Sequence, residues 1–282
     1  MTTAPLTTLA PTPPRTHRLR WRWAWTDAIT IARRDLAHWA RQPGLLITNT
    51  VLFPIMIVLM FGYLLGGAMT VPGGGSYREF LLPGMFAMTM VFGIGATTVA
   101  VSADAAGGIT DRFRSMPMAP SAVVAGRAIA DMLNSAIALS TLIGCGLLAG
   151  WLPHRSTTDT LAAIGLLLLL RFAFLWVGVY LGLACSANPE AVTAVRTLEF
   201  PLGFLGNPFV ATATMPTWLG TIAAWNPLSS TATAIRGLFG APTAADHTWI
   251  GQHALIMSVV WPLLLIAVFF PMSVRRYRNL GR

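Results

Sequence analysis

Charged side chains are rare within the apolar part of this sequence, so the stretches that carry them limit the chemistry open to the chain. The longest such stretch is Gly107–Asp131, which reads GGITDRFRSMPMAPSAVVAGRAIAD and lies between two apolar segments. Its arginines offer fixed charges to carboxylates, and its prolines restrict the backbone. This combination suits a short, rigid docking surface for a soluble protein. We expect the contacts to come from Asp111, Arg112, Phe113, Arg114, Met116 and Pro117.

Two other charged residues, Arg127 and Asp131, lie at the end of this stretch, where the next apolar span begins. Asp131 follows Arg127 by four residues, so the two side chains can pair on one face of a helix. Pairing lowers the cost of burying the carboxylate. The pair either anchors the helix near its cytosolic end or transmits movement from the docking surface into the membrane.

Arg171 lies amid LLLLLRFAFLW, near the centre of an apolar segment. An arginine at that depth costs about 2.5–3.5 kcal/mol on insertion scales, so we expect it to face a partner or a wet cavity. Asp131 and Glu199 are the candidate counter-ions. Glu199 follows Arg196 by three residues, which also suits simple anchoring of a helix end. Our hypothesis is that Arg171 lines an intersubunit or substrate-facing surface.

The sequence contains no recognisable catalytic or metal-binding constellation. There is no HExxH motif, and no zinc-type spacing among the five histidines. All 19 basic residues are arginine, so the phosphate-binding loop GxxxxGK[ST] cannot occur. We therefore expect no cofactor or metal on this chain and no enzymatic activity of its own.

Composition assigns the chain to the integral membrane proteins. It is 55% hydrophobic and 10% charged, with a mean hydropathy of +0.64, whereas soluble domains carry about 25% charged residues. Seven arginines precede Gly44 and four follow Ser273. Basic residues flanking an apolar block favour contact with anionic lipid and argue against a nucleic-acid partner.

Apolar segments of about 20 residues, long enough to cross a hydrocarbon core of about 30 Å, predict an all-α polytopic protein with six transmembrane helices. We expect an amphipathic interfacial helix at 21–42, because tryptophans lie opposite a basic face, and a disordered tail at 1–20. Pro216, Pro227, Gly237 and Pro242 predict broken, re-entrant helices over 214–247. The transmembrane domain covers 43–276, with a C-terminal tail at 277–282. The predicted spans are 45–65, 80–101, 121–151, 161–184, 197–212 and 250–273.

The distribution of arginine predicts the orientation. With six spans, fifteen arginines fall in the two termini and in the loops at 104–127 and 185–196. Three fall in the opposite loops. The positive-inside rule therefore places both termini in the cytosol.

Several motifs resemble the type-2 ABC exporter permeases, nearest the daunorubicin/doxorubicin-resistance permeases of actinobacteria. YREFLLPGMFAM at Tyr77–Met88 is similar to the family's opening of the second span. DRFRSMPMAPSAVVAGRAIAD at Asp111–Asp131 resembles its R-x-R-S-x-P and G-R-x-x-A-D motifs. The run Pro201–Ser230 resembles its P-L-x-F-x-S-N, M-P-x-W and N-P-x-S motifs, with Gly206 where serine is common, and AIRGLFG at Ala234–Gly240 continues it. The likeness covers roughly residues 25–276.

The resemblance implies a subunit of an exporter in the bacterial plasma membrane. ATP and Mg²⁺ would bind two copies of a partner ATPase, which would dock on the coupling helix at 107–120 and make a smaller contact at 185–196. A second permease, identical or a sibling, would complete the exporter. We expect the cargo to be an amphiphilic drug, antibiotic or lipid-like compound. The outer gate would include Asn207, Asn226, Pro227 and Arg236.

Two alternatives remain open at this point. A polysaccharide or lipid exporter would use the same family architecture. A secondary transporter would need coupling acids within the spans, where only Asp131 and Glu199 are available.

Overall fold

The computed structural model describes residues 60–64, 76–107, 120–243 and 248–279, together with a few isolated positions between 44 and 59. Side chains at 63–64, 120–125 and 278 are not included. Within these ranges the chain forms helices and connecting turns, with no strand. The predicted tail at 1–20, the amphipathic helix at 21–42 and most of the first predicted span lie outside the described residues.

Nine α-helices follow a π-helical turn at Met60–Leu64 in the described part of the chain, and a 3₁₀ turn at Thr212–Thr214 precedes the sixth. In order they are α1 (Tyr77–Val91), α2 (Gly93–Ala106), α3 (Pro120–Leu148), α4 (Thr157–Ala184), α5 (Pro189–Phe204), α6 (Thr217–Trp225), α7 (Pro227–Phe239), α8 (Trp249–Gln252) and α9 (Ala254–Asn279).

Four elements are long and apolar enough to cross a membrane among the residues described. They are Tyr77–Ala106, which joins α1 and α2, Gly126–Leu148 of α3, Thr157–Ala184 of α4 and Ala254–Tyr277 of α9. The total of six spans stays a prediction.

The fifth predicted span differs from the helix found there. We expected a span over 197–212, but α5 begins at Pro189 and ends at Phe204. Asn188 caps its start through bonds from the backbone N–H groups of Glu190 and Ala191, and proline suits the first helical position. Bends from Leu205 onward end it.

Helix α4 is the centre of the bundle and contacts α2, α7, α9, α1 and α3. Its close approach to α2 depends on two glycines four residues apart. A Cβ atom on Gly178 would lie 2.9 Å from Thr97 Cβ, and one on Gly182 would lie 2.7 Å from Val101 Cβ. Small residues at this spacing allow two helices to pack backbone against backbone.

The main core lies around α1, beside this central contact. Phe86 is fully buried, and its ring meets Trp151 edge-on at 5.2 Å and Phe239 at 6.1 Å between centroids. These aromatic contacts join α1 to α7 and to the turn after α3. Helix α1 also carries residues that line the cavity described below.

The segment between α5 and α9 contains the two short helices α6 and α7, joined at Asn226. Gly240 ends α7 in the left-handed conformation, with a φ of 72°, which glycine adopts without strain. The sequence predicted such a broken pair over 214–247. Its depth in the membrane stays a prediction.

Candidate functional site

A cavity of about 520 Å³ lies between α1, α2, α3, α4 and α5. Small-molecule sites typically enclose roughly 300–1,000 Å³, so its size suits a ligand such as a drug. Its lining combines apolar side chains with charged and hydroxyl groups. The lining residues used below are Met85, Met88, Phe92, Gly93, Ala96, Asp131, Ser135, Arg171, Arg196, Glu199 and Phe200.

Arg171 lines the cavity and is buried, with 1% of its surface exposed. Its Nη2 atom donates to Asp131 Oδ2 at 2.5 Å and to Thr97 Oγ1 at 3.0 Å. Its Nε atom donates to Ser135 Oγ at 2.8 Å. One guanidinium therefore joins α4 to α3 and α2, and a carboxylate balances its charge.

The partners of Arg171 are themselves held in place. Ser135 Oγ donates to the Asp131 carbonyl oxygen at 2.8 Å. Thr97 Oγ1 lies 2.9 Å from both Asp131 Oδ2 and the Gly93 carbonyl oxygen. A side chain on Gly93 would overlap the Arg171 guanidinium, so the glycine makes room for it.

The predicted pairing of Arg127 with Asp131 is wrong. Arg127 Nη1 bonds Asp104 Oδ2 on α2 instead, while Asp131 pairs with Arg171. The spacing along α3 permitted the local pair, but a carboxylate on the neighbouring helix binds Arg127. This ion pair joins α2 and α3 on either side of residues 108–119.

Glu199 lies on α5 and also lines the cavity. Its carboxylate faces the backbone N–H groups of Ile94 and Gly95 in the first turn of α2. The start of a helix favours a negative charge, and the missing side chain of Gly95 leaves space for it. Glu199 Oε1 is buried and has no hydrogen-bond partner among the described groups.

A second polar cluster is centred on Arg236 of α7, which is 2% exposed. Its Nε atom donates to the Phe80 carbonyl at 2.9 Å, and its Nη2 atom to those of Asn207 and Pro208 at 2.8 and 2.9 Å. The guanidinium carbon lies 3.7 Å from the centre of the Phe80 ring. Arg236 therefore joins α7 and α1 to the turn after α5.

The other residues predicted for the outer gate belong to the same cluster. The Asn207 N–H donates to Ser229 Oγ at 3.0 Å. Asn226 Nδ2 donates to the Leu205 carbonyl at 2.8 Å, while Asn226 Oδ1 caps α7. Pro227 is the first residue of that helix. The structure thus brings together all four residues: Asn207, Asn226, Pro227 and Arg236.

Comparison with known proteins identifies the fold that holds these two clusters. Residues 26–239 match the family described as ABC-2 type transporter, which is more than half of the chain. The chain belongs to the ABC-2 type transporter family. It is also similar to the daunorubicin resistance ABC transporter permease protein DrrB1 of Streptomyces coeruleorubidus, with 33% identity over 232 residues. That likeness covers 82% of this chain and 79% of the relative.

These findings confirm the resemblance inferred from the motifs. The protein is a multi-pass membrane protein and the permease subunit of an ABC transporter. The coupling residues predicted for this ABC-2 permease lie outside the described residues. They are Asp111, Arg112, Phe113, Arg114, Met116 and Pro117.

Sequence reasoning missed the residues that complete the Arg171 site. Ser135 follows Asp131 by four residues, and Thr97 follows Gly93 by four, so each pair lies on one helix face. These spacings were available signals. No group of three or more His, Cys, Asp or Glu side chains able to hold a metal occurs in the described parts of this permease.

Proposed function

We propose that this permease moves an amphiphilic drug or similar compound through the cavity beside Arg171 and out of the cytoplasm or inner leaflet. The observation that carries the proposal is the cavity itself, whose lining combines apolar side chains with charged ones. The similarity to a daunorubicin resistance permease supports a drug as cargo.

The apolar side chains of the lining suit the ring system of such a compound. They include Met85, Met88, Phe92 and Phe200, and thioethers and aromatic rings adapt well to varied apolar shapes. The charged and hydroxyl groups of the lining would then fix the polar end through a few hydrogen bonds, as small-molecule sites commonly do.

Energy would come from a separate ATPase, present in two copies with its ATP and Mg²⁺. The permease sequence has no lysine and therefore no GxxxxGK[ST] loop. We place the docking surface at 107–120, with the arginines Arg112 and Arg114 pairing with carboxylates of the ATPase. Both termini would then lie in the cytosol, as the arginine distribution predicts.

A path from this surface to the cavity is supported by the contacts of α2 and α3. The Asp104–Arg127 ion pair joins the two helices beside the docking loop. The same helices carry Thr97 and Asp131, which bind Arg171. Movement of the loop would therefore reach the cavity wall through both helices at once.

The working exporter would contain a second permease, either another copy or a sibling chain. ATP binding would close the ATPases and rock the two permeases from inward- to outward-open. The cluster around Arg236 would hold the broken helices of the outer gate, because it joins α7 to the turn after α5.

Charge reversal at the docking surface tests this function. Arg114→Glu, expressed with the ATPase, should abolish ATP-dependent transport and substrate-stimulated ATP hydrolysis while the permease stays in the membrane. The matched control is Arg155→Glu, an exposed arginine in a loop assigned to the opposite face, which should keep both activities. Full coupled transport by Arg114→Glu would contradict the proposal.

A further inference from the structure

Of the two carboxylates that line the cavity, Asp131 is paired with Arg171 and Glu199 lies outside that ion pair. Glu199 Oε1 is buried without a hydrogen-bond partner among the described groups, although its side chain lines the cavity. A buried acceptor left without a donor costs free energy. Glu199 Oε1 is therefore available to bind a group that enters the cavity.

The charges around the cavity indicate the sign of that group. Asp131 and Arg171 are paired at 2.5 Å and balance one another. Arg171 Nη1 also lacks a partner, but it lies against the backbone of Gly93. Arg196 is exposed, so water screens its charge. When all three groups are ionised, Asp131, Arg171 and Glu199 together carry one net negative charge at the cavity.

The residues beside Glu199 also favour a cation. Phe200 follows it in the chain, and the Phe200 ring stacks on Phe92 with 5.9 Å between centroids. Both rings line the cavity. The negative faces of aromatic rings attract cations, most strongly where water is excluded.

We propose that Glu199 binds the cationic group of the substrate and makes the cavity selective for amphiphilic cations over anions of the same shape. This inference rests on the proposed function, because it assigns a chemical class to the cargo of the same cavity. Glu199 is its specificity-determining residue, and Phe92 and Phe200 bind the apolar part beside the charge.

The test uses two ions of nearly equal size and opposite charge, tetraphenylphosphonium and tetraphenylborate. The permease is assembled with its ATPase in lipid nanodiscs, and binding of each radiolabelled ion is measured above that of empty nanodiscs. The variants are Glu199→Gln and Glu199→Asp. The matched control is Glu79→Gln, because Glu79 is partly exposed on α1 and does not line the cavity.

Glu199→Gln should weaken tetraphenylphosphonium binding by roughly tenfold or more, the effect of losing the attraction between one carboxylate charge and the cation. Its binding of tetraphenylborate should be unchanged or tighter, which also reports an intact cavity. Glu199→Asp should recover part of the cation binding, and Glu79→Gln should behave as the wild type.

Three results would overturn the inference: unchanged cation binding by Glu199→Gln, equal loss of both ions, or no binding of either ion by the wild type. The first two are compatible with drug export by the wild-type exporter, in which case the proposed function stands and only the charge preference fails. Absence of ATP-dependent export by the wild type would instead reject the function itself.

Discussion

Arg171 on α4 and Asp131 on α3 form an ion pair, with 2.5 Å between Nη2 and Oδ2. The two residues are 40 positions apart, and the arginine is almost fully buried. Thr97 and Ser135 bond the same guanidinium, so three helices meet at one charge. Breaking such a pair by removing one member is costly, because the other charge is left buried and uncompensated.

Removal of the carboxylate should therefore destabilise the permease. We expect Asp131→Ala to lower the free energy of unfolding by about 3–5 kcal/mol, measured by thermal unfolding of the purified protein in detergent. The double variant Asp131→Leu with Arg171→Met should recover much of the loss, since it removes both charges. Equal stability of Asp131→Ala and the wild type would show that the pair carries no structural role.

A larger side chain should disrupt the protein on the face of α4 that packs against α2, and should be tolerated on the exposed face of α4. Gly182→Leu would drive its Cβ into Val101 and the Thr98 carbonyl, both within 2.8 Å. Overpacking of this kind costs about 1–3 kcal/mol or more. Gly165→Leu on the same helix is the control, because no atom lies within 4 Å of its Cβ position. Thermal unfolding should separate the two variants, and similar losses in both would contradict this packing.

The ion pair between Asp104 and Arg127 should matter for coupling more than for stability. The two side chains are 20% and 29% exposed, and ion pairs at the surface contribute about 0–1 kcal/mol, so Arg127→Glu should fold and reach the membrane. We expect it to lose substrate-stimulated ATP hydrolysis, because α2 and α3 would repel one another beside the docking loop. The charge exchange Asp104→Arg with Arg127→Glu should restore coupling. Normal coupling in the single variant would show that the pair transmits nothing.

Replacement of Arg236 by lysine should destabilise the permease. Lysine keeps the charge but cannot reach three carbonyl oxygens with the geometry of a guanidinium fork. We expect Arg236→Lys to cost about 1–3 kcal/mol, the penalty for leaving buried polar groups unsatisfied. Arg155→Lys, at an exposed arginine, should be neutral. The measurement is the midpoint of thermal unfolding, and an unchanged midpoint for Arg236→Lys would contradict the role of the fork.

The sequence predicted much of the charged site but not which residues pair within it. The expected cost of burying Arg171 indicated that it needs a partner and left Asp131 and Glu199 as candidates. Choosing between them requires the relative depth of α3, α4 and α5, which sequence does not contain. The same limit explains the wrong pairing of Arg127, since its partner Asp104 lies on another helix.

The helix boundaries show a similar limit. The long apolar runs led us to expect spans where α1–α2, α3, α4 and α9 lie, because length and composition are local properties. The end of α5 at Phe204 was missed, since the turn that follows is held by Asn207, Asn226 and Arg236 from outside the helix. Tertiary contacts, rather than local preference, set that boundary.

The most direct test of the account fills the cavity and measures transport. Ala96 is exposed within the cavity, and Ala96→Trp should occupy its volume without disturbing the core. Ala162→Trp, at an exposed position of α4 outside the cavity, is the control. Inverted membrane vesicles containing the permease and its ATPase should accumulate a fluorescent amphiphilic drug only with ATP, and Ala96→Trp should abolish this uptake while Ala162→Trp preserves it. Uptake that persists in Ala96→Trp, or that continues without the ATPase, would contradict an ATP-driven exporter that works through this cavity.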